Sequence, residues 1–461
     1  ARSIPFDLAP GEPARKMSVY VTAPNRYALA FDDDGVTAKA GTRVGAAAVV
    51  MPDHNVLFIG GAEPHQGATE PFNMASYGNY SKTVAEYDPN LRTTSPQPSW
   101  SGLSGARLSK GRAFTGAATG DQGLVAIAGG YILVGDQPKE TNLVEFVDPT
   151  VGTMQKSTAV KANLEHARAH HTMTHLFNNY FLVAGGVGAE QAAYTWELWH
   201  PKHGRVDNGE LGQARWNHAT VNVRLDGGGL VVLVGGENDN GPIANLEIIR
   251  YDNAGNIAYK GNGKVGCQIG QSLYPASKCA ALKSKAGYKD IVWTPVIKEL
   301  PGKVGRVLPG AAQVVHGGRP LLAVVGGFTD TDKTQASARV ELYDVQSEGW
   351  LGHSLQLETA RGGPQVVATG EGGSAALLIS GGVGADAKTI GSGEVLAWPD
   401  SDKASKPVRK RVLNDQPKGG RIFAVAVPLS TGHVLLTGGA TTEKNDVSPH
   451  AGLSLWQPNA P

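Results

Sequence analysis

Arg306-Val-Leu-Pro-Gly-Ala-Ala-Gln-Val-Val315, His316-Gly-Gly-Arg-Pro320 and Leu321-Leu-Ala-Val-Val-Gly326-Gly327 follow one another without a break. Two short apolar runs flank a turn rich in Gly, the pattern of a β-hairpin. The Gly pair ends the second run, where the backbone must turn tightly or approach a neighbour closely. After a polar loop comes a third run, Arg339-Val-Glu341-Leu-Tyr343-Asp344, and Gly349-Trp350 closes the unit. Alternation places Glu341 and Tyr343 on one face of that strand and Leu342 on the other. A sheet of three or four such strands is too small to be stable alone. It must be one of several.

The rest of the chain supplies the others, and this repetition decides the fold. An Arg stands at the start of each copy: Arg43, Arg112, Arg168, Arg215, Arg306, Arg361 and Arg421. A Gly pair follows each at Gly60, Gly129, Gly185, Gly235, Gly326, Gly381 and Gly438. The offset from Arg to the first Gly is 17 in four copies and 20 in three, as expected of one hairpin with two turn lengths. Tyr87, Phe146, Trp199, Tyr251, Tyr343, Trp398 and Trp456 close the third strand, and six copies carry a Glu shortly before that aromatic. These are Glu86, Glu145, Glu197, Glu247, Glu341 and Glu394; the seventh copy has none.

Tyr87-Asp88-Pro89 followed by Trp100, and Tyr343-Asp344 followed by Trp350, resemble the kelch repeat. The resemblance covers roughly 40–461. It implies a seven-bladed kelch-type β-propeller with four antiparallel strands per blade. The expected blades are 41–104, 105–164, 165–211, 212–300, 301–357, 358–417 and 418–461, in one domain. The last copy stops after its third strand, whereas Met17-Ser-Val-Tyr-Val-Thr22 and Tyr27-Ala-Leu-Ala-Phe31 are strand-like. The segment 1–40 is therefore expected to close the ring by supplying the outer strand of the last blade.

Composition narrows the function. The repeat's turns account for 61 glycines in 461 residues. Net charge is +1 and the densest basic run is Arg409-Lys410-Arg411, so a nucleic-acid partner is not supported. No apolar run reaches the length of a membrane helix, so no membrane insertion is expected. Cys267 and Cys279 both lie in a long insertion, 260–300. Two cysteines in a loop-like segment are expected to form a disulfide, worth about 3 kcal/mol in the chain-entropy model, and to indicate an extracytoplasmic location. No Cys/His spacing suits structural zinc.

The seven arginines are the first candidate ligand-binding residues. In a propeller they would sit near one mouth of the channel, where guanidiniums favour carboxylate or phosphate. The competing reading is that each Arg is tied to the Glu of its own blade, with Arg421 left as the free guanidinium. Next come His171 and His218, each three residues after an Arg, beside His170 and His175. A metal held by His171, His175 and His218 is conceivable. However, His at that position is common in kelch-like repeats, so neither metal nor cofactor is expected. Asp32–Asp34, Asp330 with Asp332, and Glu237 with Asp239 lack a complete calcium-loop spacing.

Kelch-like enzymes offer three comparisons. The copper-radical oxidases need a Cys crosslinked to a Tyr, which two clustered cysteines do not allow. The iron-dependent members carry E-x3-D-x3-H, which is absent. Sugar mutarotases use Glu and Arg near the channel mouth, which this chain could supply. The loops that follow the Gly pairs remain: 65–82 with Tyr77 and Tyr80, then 131–141, 328–338 and 440–450. The expected function is a secreted or envelope-exposed binding module that takes a protein or glycan on those loops, with no catalytic residues assigned. The alternatives are a carbohydrate or small-anion enzyme, and a rigid subunit of a surface assembly.

Overall fold

The structure is a computed structural model. It describes residues 17–23, 26–31, 43–87, 100–148, 153–155, 162–188, 192–225, 227–252, 257, 265–269, 272–274, 279, 281–292, 296–352, 355–369, 375–398, 408–413, 420–429, 433–443, 446–449 and 454–456.

The chain is all-β, a series of small antiparallel sheets consistent with a β-propeller-like fold. The run quoted above forms Gly310–His316, Arg319–Val325 and Arg339–Asp344, with Gly349–Trp350 at the edge. Alternate residues of the second strands do not point to water. Val56–Ile59, Val125–Ala128, Phe181–Ala184 and Ala376–Ser380 are buried at every position, because each sheet is covered on both faces by neighbouring sheets. Leu233, Ile249 and Trp196 thus meet between one pair of sheets, and Val325, Leu342 and Trp398 between another.

First strands touch in chain order. Ala47–Val50 contacts Gly116–Thr119, which contacts Thr172–His175, then Ala219–Leu225, Gly310–His316, Gln365–Thr369 and Val425–Pro428. The last of these also contacts Ala47–Val50. At the other end of the chain, Met17–Ala23 pairs with Arg26–Phe31, which pairs with Ser454–Trp456 through Leu29 and Leu455. The N-terminal hairpin and the C-terminal strands therefore share one five-stranded sheet.

Two local expectations are revised. The cysteine-bearing insertion is less loop-like than it reads, since Val265–Ile269, Ser272–Tyr274 and Tyr288–Val292 form their own three-stranded sheet. Cys279 is buried and is not a free thiol. The Gly pairs, for their part, lead into short ribbons rather than open loops. Tyr131–Val134 pairs with Gln137–Glu140, and Ala440–Glu443 with Asp446–Pro449.

Candidate functional site

Every Gly pair bonds to the Arg of the next copy, and most are also held by the Arg of their own. The carbonyl of Gly129, Gly185, Gly235 and Gly381 accepts from Nη1 of Arg112, Arg168, Arg215 and Arg361 at 2.8–3.4 Å. The offsets of 17 and 20 are the span of that bond. The second Gly donates its N–H to the carbonyl of the next copy's Arg, from Gly61 to Arg112 through Gly382 to Arg421, and Gly439 donates to Arg43. Both glycines of a pair have positive φ, 58° and 93° at Gly235 and Gly236. A Cβ on Gly235 would lie 2.5 Å from the Arg306 carbonyl oxygen. Gly235→Ala is expected to destabilise the protein by about 2 kcal/mol, measured by urea denaturation, from left-handed strain alone.

The guanidiniums do not face an opening. Arg112, Arg168, Arg215, Arg306, Arg361 and Arg421 are at most 1% exposed, and five of them pair with the third-strand Glu of their own copy. Arg168 meets Glu197 at 2.8 Å, Arg215 meets Glu247 at 2.7 Å, Arg361 meets Glu394 at 2.9 Å and Arg306 meets Glu341 at 3.1 Å; Arg112 pairs with Glu145. In four ties the other carboxylate oxygen accepts a backbone N–H three residues before the Arg, from Ser109, Glu165, Gly212 and Glu358. In these four both carboxylate oxygens have a partner, whereas Glu341 Oε2 is buried without one among the described residues. Burial pushes the guanidinium pKa of Arg112, Arg168 and Arg361 down while the paired Glu pushes it back up. Arg421 is brought down to about 9 by burial, and it is not free. The expectation of an accessible arginine ring is corrected accordingly.

Glu86 departs from the pattern for a reason of register. Glu145, Glu197, Glu247, Glu341 and Glu394 each lie opposite the residue two before the first Gly, such as Ile127 or Leu233. Glu86 lies opposite Leu57, one residue further away, and one residue turns a side chain to the other face of a strand. It accepts from Asn55 at 2.8 Å, while Arg43 donates to Ser81 and to the Gly60 carbonyl.

The remaining candidates are also internal. Tyr77 and Tyr80 are 1% and 9% exposed, packed in an apolar cluster with Val44, Tyr131 and Phe328. Tyr77 donates to the Pro71 carbonyl at 2.6 Å. Both support the 65–82 loop from below rather than offer their rings to a ligand. His171 and His218 are buried; burial pushes His171 down to about 3 and His218 well below the ordinary range. His218 Nε2 lies 3.0 Å from the Thr172 hydroxyl, whereas His175 is turned toward Asp121. Among the described residues no group of three or more metal-ligating side chains is present.

What the sequence reading missed lies two residues after each Arg. Gly45, Phe114, His170, Asn217, Leu308, Gly363 and Phe423 all have φ between 49° and 64°. They are linked by backbone bonds from Phe114 to Gly45, His170 to Phe114, Asn217 to His170, Leu308 to Asn217, Gly363 to Leu308 and Gly45 to Phe423. Left-handed Phe and Leu are strained, so this belt is held against a cost. Above it, Phe72 packs edge-on against Phe328 and Phe423, and Phe114 lies against both Phe423 and His170. Beside these rings sits a charged pair. Lys333 Nζ is 3.2 Å from Glu237 Oε1, and Asn217 Nδ2 donates to the same oxygen at 2.8 Å. A signal for it existed in the column after the Gly pairs. Ala62, Tyr131, Val187, Phe328, Val383 and Ala440 are uncharged and largely apolar; Glu237 alone is ionic.

No protein-family model matches the chain, and no curated protein matches it. Among solved structures, one described as "Structure of YjhT" aligns over 80% of this chain and 97% of that chain, at 14% identity and a TM-score of 0.46. A likeness of that size carries no argument about this chain.

Proposed function

We propose that the protein is a seven-bladed kelch-type propeller, closed into a ring, that serves as an extracytoplasmic binding module for a protein or glycan. Closure is supported by the contact between the first and last inner strands and by the Gly439 to Arg43 bond, which returns the repeat to its start. It is supported too by the N-terminal hairpin in the terminal sheet. Removal of 1–36 would leave Ser454–Trp456 as an open edge. The expected result is a lower melting temperature of the whole protein in one transition; a truncated chain that melts like the intact one ends the closure reading.

The ribbons after the Gly pairs carry the functional reading, since they are locked to one another. Val447 donates to the Ala68 carbonyl at 2.6 Å, and Thr389 and Thr442 exchange hydrogen bonds between hydroxyl and backbone. A surface fixed in this way binds without ordering cost. Two exposed apolar side chains stand between second and third strands on this side, Val134 at 50% and Tyr194 at 51% exposure. By contrast, five of the seven arginines and five of the six third-strand glutamates that an enzyme would need are occupied in internal ties.

Arrays of glycans and of folded proteins, probed with the intact chain and with Val134→Asp/Tyr194→Asp, test the reading. Binders of the intact chain should be lost with the double variant. Binders retained equally by both would move the site to another surface. The extracytoplasmic placement rests on a Cys267–Cys279 bond, supported by the absence of a free thiol at Cys279. Intact mass should rise by two alkyl groups only after reduction.

A further inference from the structure

The group around Glu237 is a buried charge cluster that the ties between Arg and Glu do not explain. Glu237 is 5% exposed and occupies a column that is otherwise uncharged. Burying a lone carboxylate there would be costly, and Lys333 neutralises it. Lys333, Asn217 and His170 all hold left-handed backbone, at φ of 58°, 54° and 52°. His170 supplies a further indication. It keeps accessible surface while burial brings its pKa down to about 4, as a ring lining an enclosed space would.

The unused hydrogen-bonding capacity defines the ligand. Asn217 Nδ2 must face Glu237, because the carboxylate needs a donor, so Oδ1 points the other way. That Oδ1 is buried and has no partner among the described residues. Lys333 uses its N–H groups on Glu237 and on the Thr331 carbonyl at 2.9 Å, which leaves one donor. An acceptor on Asn217 and a donor on Lys333 are therefore both unused. A carboxylate cannot donate to Asn217, and an ammonium cannot accept from Lys333. A hydroxyl does both, as does an amide, and a saccharide offers many hydroxyls together. The pair is neutral overall, so no net charge is selected, and Phe72, Phe114 and His170 provide ring faces and edges for C–H groups.

We propose that Asn217, Lys333 and Glu237, walled by Phe72, Phe114 and His170, bind a neutral hydroxyl-rich ligand, a saccharide. The inference rests on the binding-module reading and narrows it from protein or glycan to glycan. Lys333 lies 5.7 Å from the centroid of the Phe72 ring, so the loop that carries Phe72 covers this site.

The test is titration calorimetry with glucose, galactose, mannose and N-acetylglucosamine, with glucuronate and glucosamine as charged controls. At least one neutral sugar should bind the intact chain in preference to both controls. Asn217→Gly should weaken it by about tenfold, the loss of one buried hydrogen bond. That variant removes the amide without strain, since Gly45 and Gly363 hold the same backbone conformation elsewhere in the belt. Lys333→Met should weaken binding as well, with the melting temperature of both variants checked against the intact chain. No neutral sugar bound, preference for glucuronate, or equal binding by Asn217→Gly would each overturn the proposal. A protein ligand lost with Val134→Asp/Tyr194→Asp but indifferent to Asn217→Gly would end this inference and leave the broader reading standing.

Discussion

Arg215→Met should destabilise the protein by about 3–5 kcal/mol, and this single change should cost more than removing both partners of the pair. Arg215 and Glu247 are both fully buried and 2.7 Å apart. Without the guanidinium, Glu247 is left as a charge in a site with no access to water. The carbonyl of Gly235 and the side chain of Asn245 lose donors at the same time. Arg215→Met/Glu247→Leu takes both charges out, so its loss should be smaller than the sum of the two single losses. Guanidinium denaturation of the four proteins measures this. Strict additivity, or a single loss below about 1 kcal/mol, would mean that the pair is solvated and the tie is not structural.

Acid should unfold the protein well above the pH at which carboxylates protonate. His171 and His218 are buried and neutral, and their pKa values are depressed by burial first and by the neighbouring Arg168 or Arg215 second. In the unfolded chain the same rings protonate near pH 6.5. Below that value the unfolded state binds more protons than the folded state, so stability falls as pH falls. Above it the slope is zero. For His171 the loss runs from about pH 6.5 down to about pH 3, and at pH 4.5 it amounts to about 3 kcal/mol. Stability measured at steps across this window should therefore decline, and His171→Leu should flatten the decline by up to one proton. A profile unchanged by that substitution would show that His171 does not contribute to the acid limit.

The fold was legible because repetition is independent of what any one residue does. Arg and Gly pair recur at two offsets, and the Arg to Gly carbonyl bond spans both. The ties were legible only as a choice between paired and free, since a sequence does not show which face a strand residue takes. Glu86 illustrates the difficulty. It reads like the other five glutamates and lies one register step away from their position. The belt was missed because Gly, Phe, His, Asn and Leu share no chemistry; their backbone conformation unites them. Glu237 could have been found by comparing columns across the copies instead of scanning for motifs along the chain. Tyr77 and Tyr80 misled because aromatic content in a loop looks the same whether the rings face solvent or support the loop.

The division of labour between the two kinds of link has an evolutionary consequence. Within a copy, side chains do the holding: Arg reaches Glu, and Glu reaches the entering backbone. Between copies, the recurring link is a peptide N–H to a peptide carbonyl, which every amino acid supplies. As far as this link goes, a change of side chain in one copy need not be answered by a matching change in the next. Copies can be duplicated, lost or allowed to drift apart in sequence, and where one acquires a buried charge, as at Glu237, a side chain such as Lys333 of the next copy has to meet it.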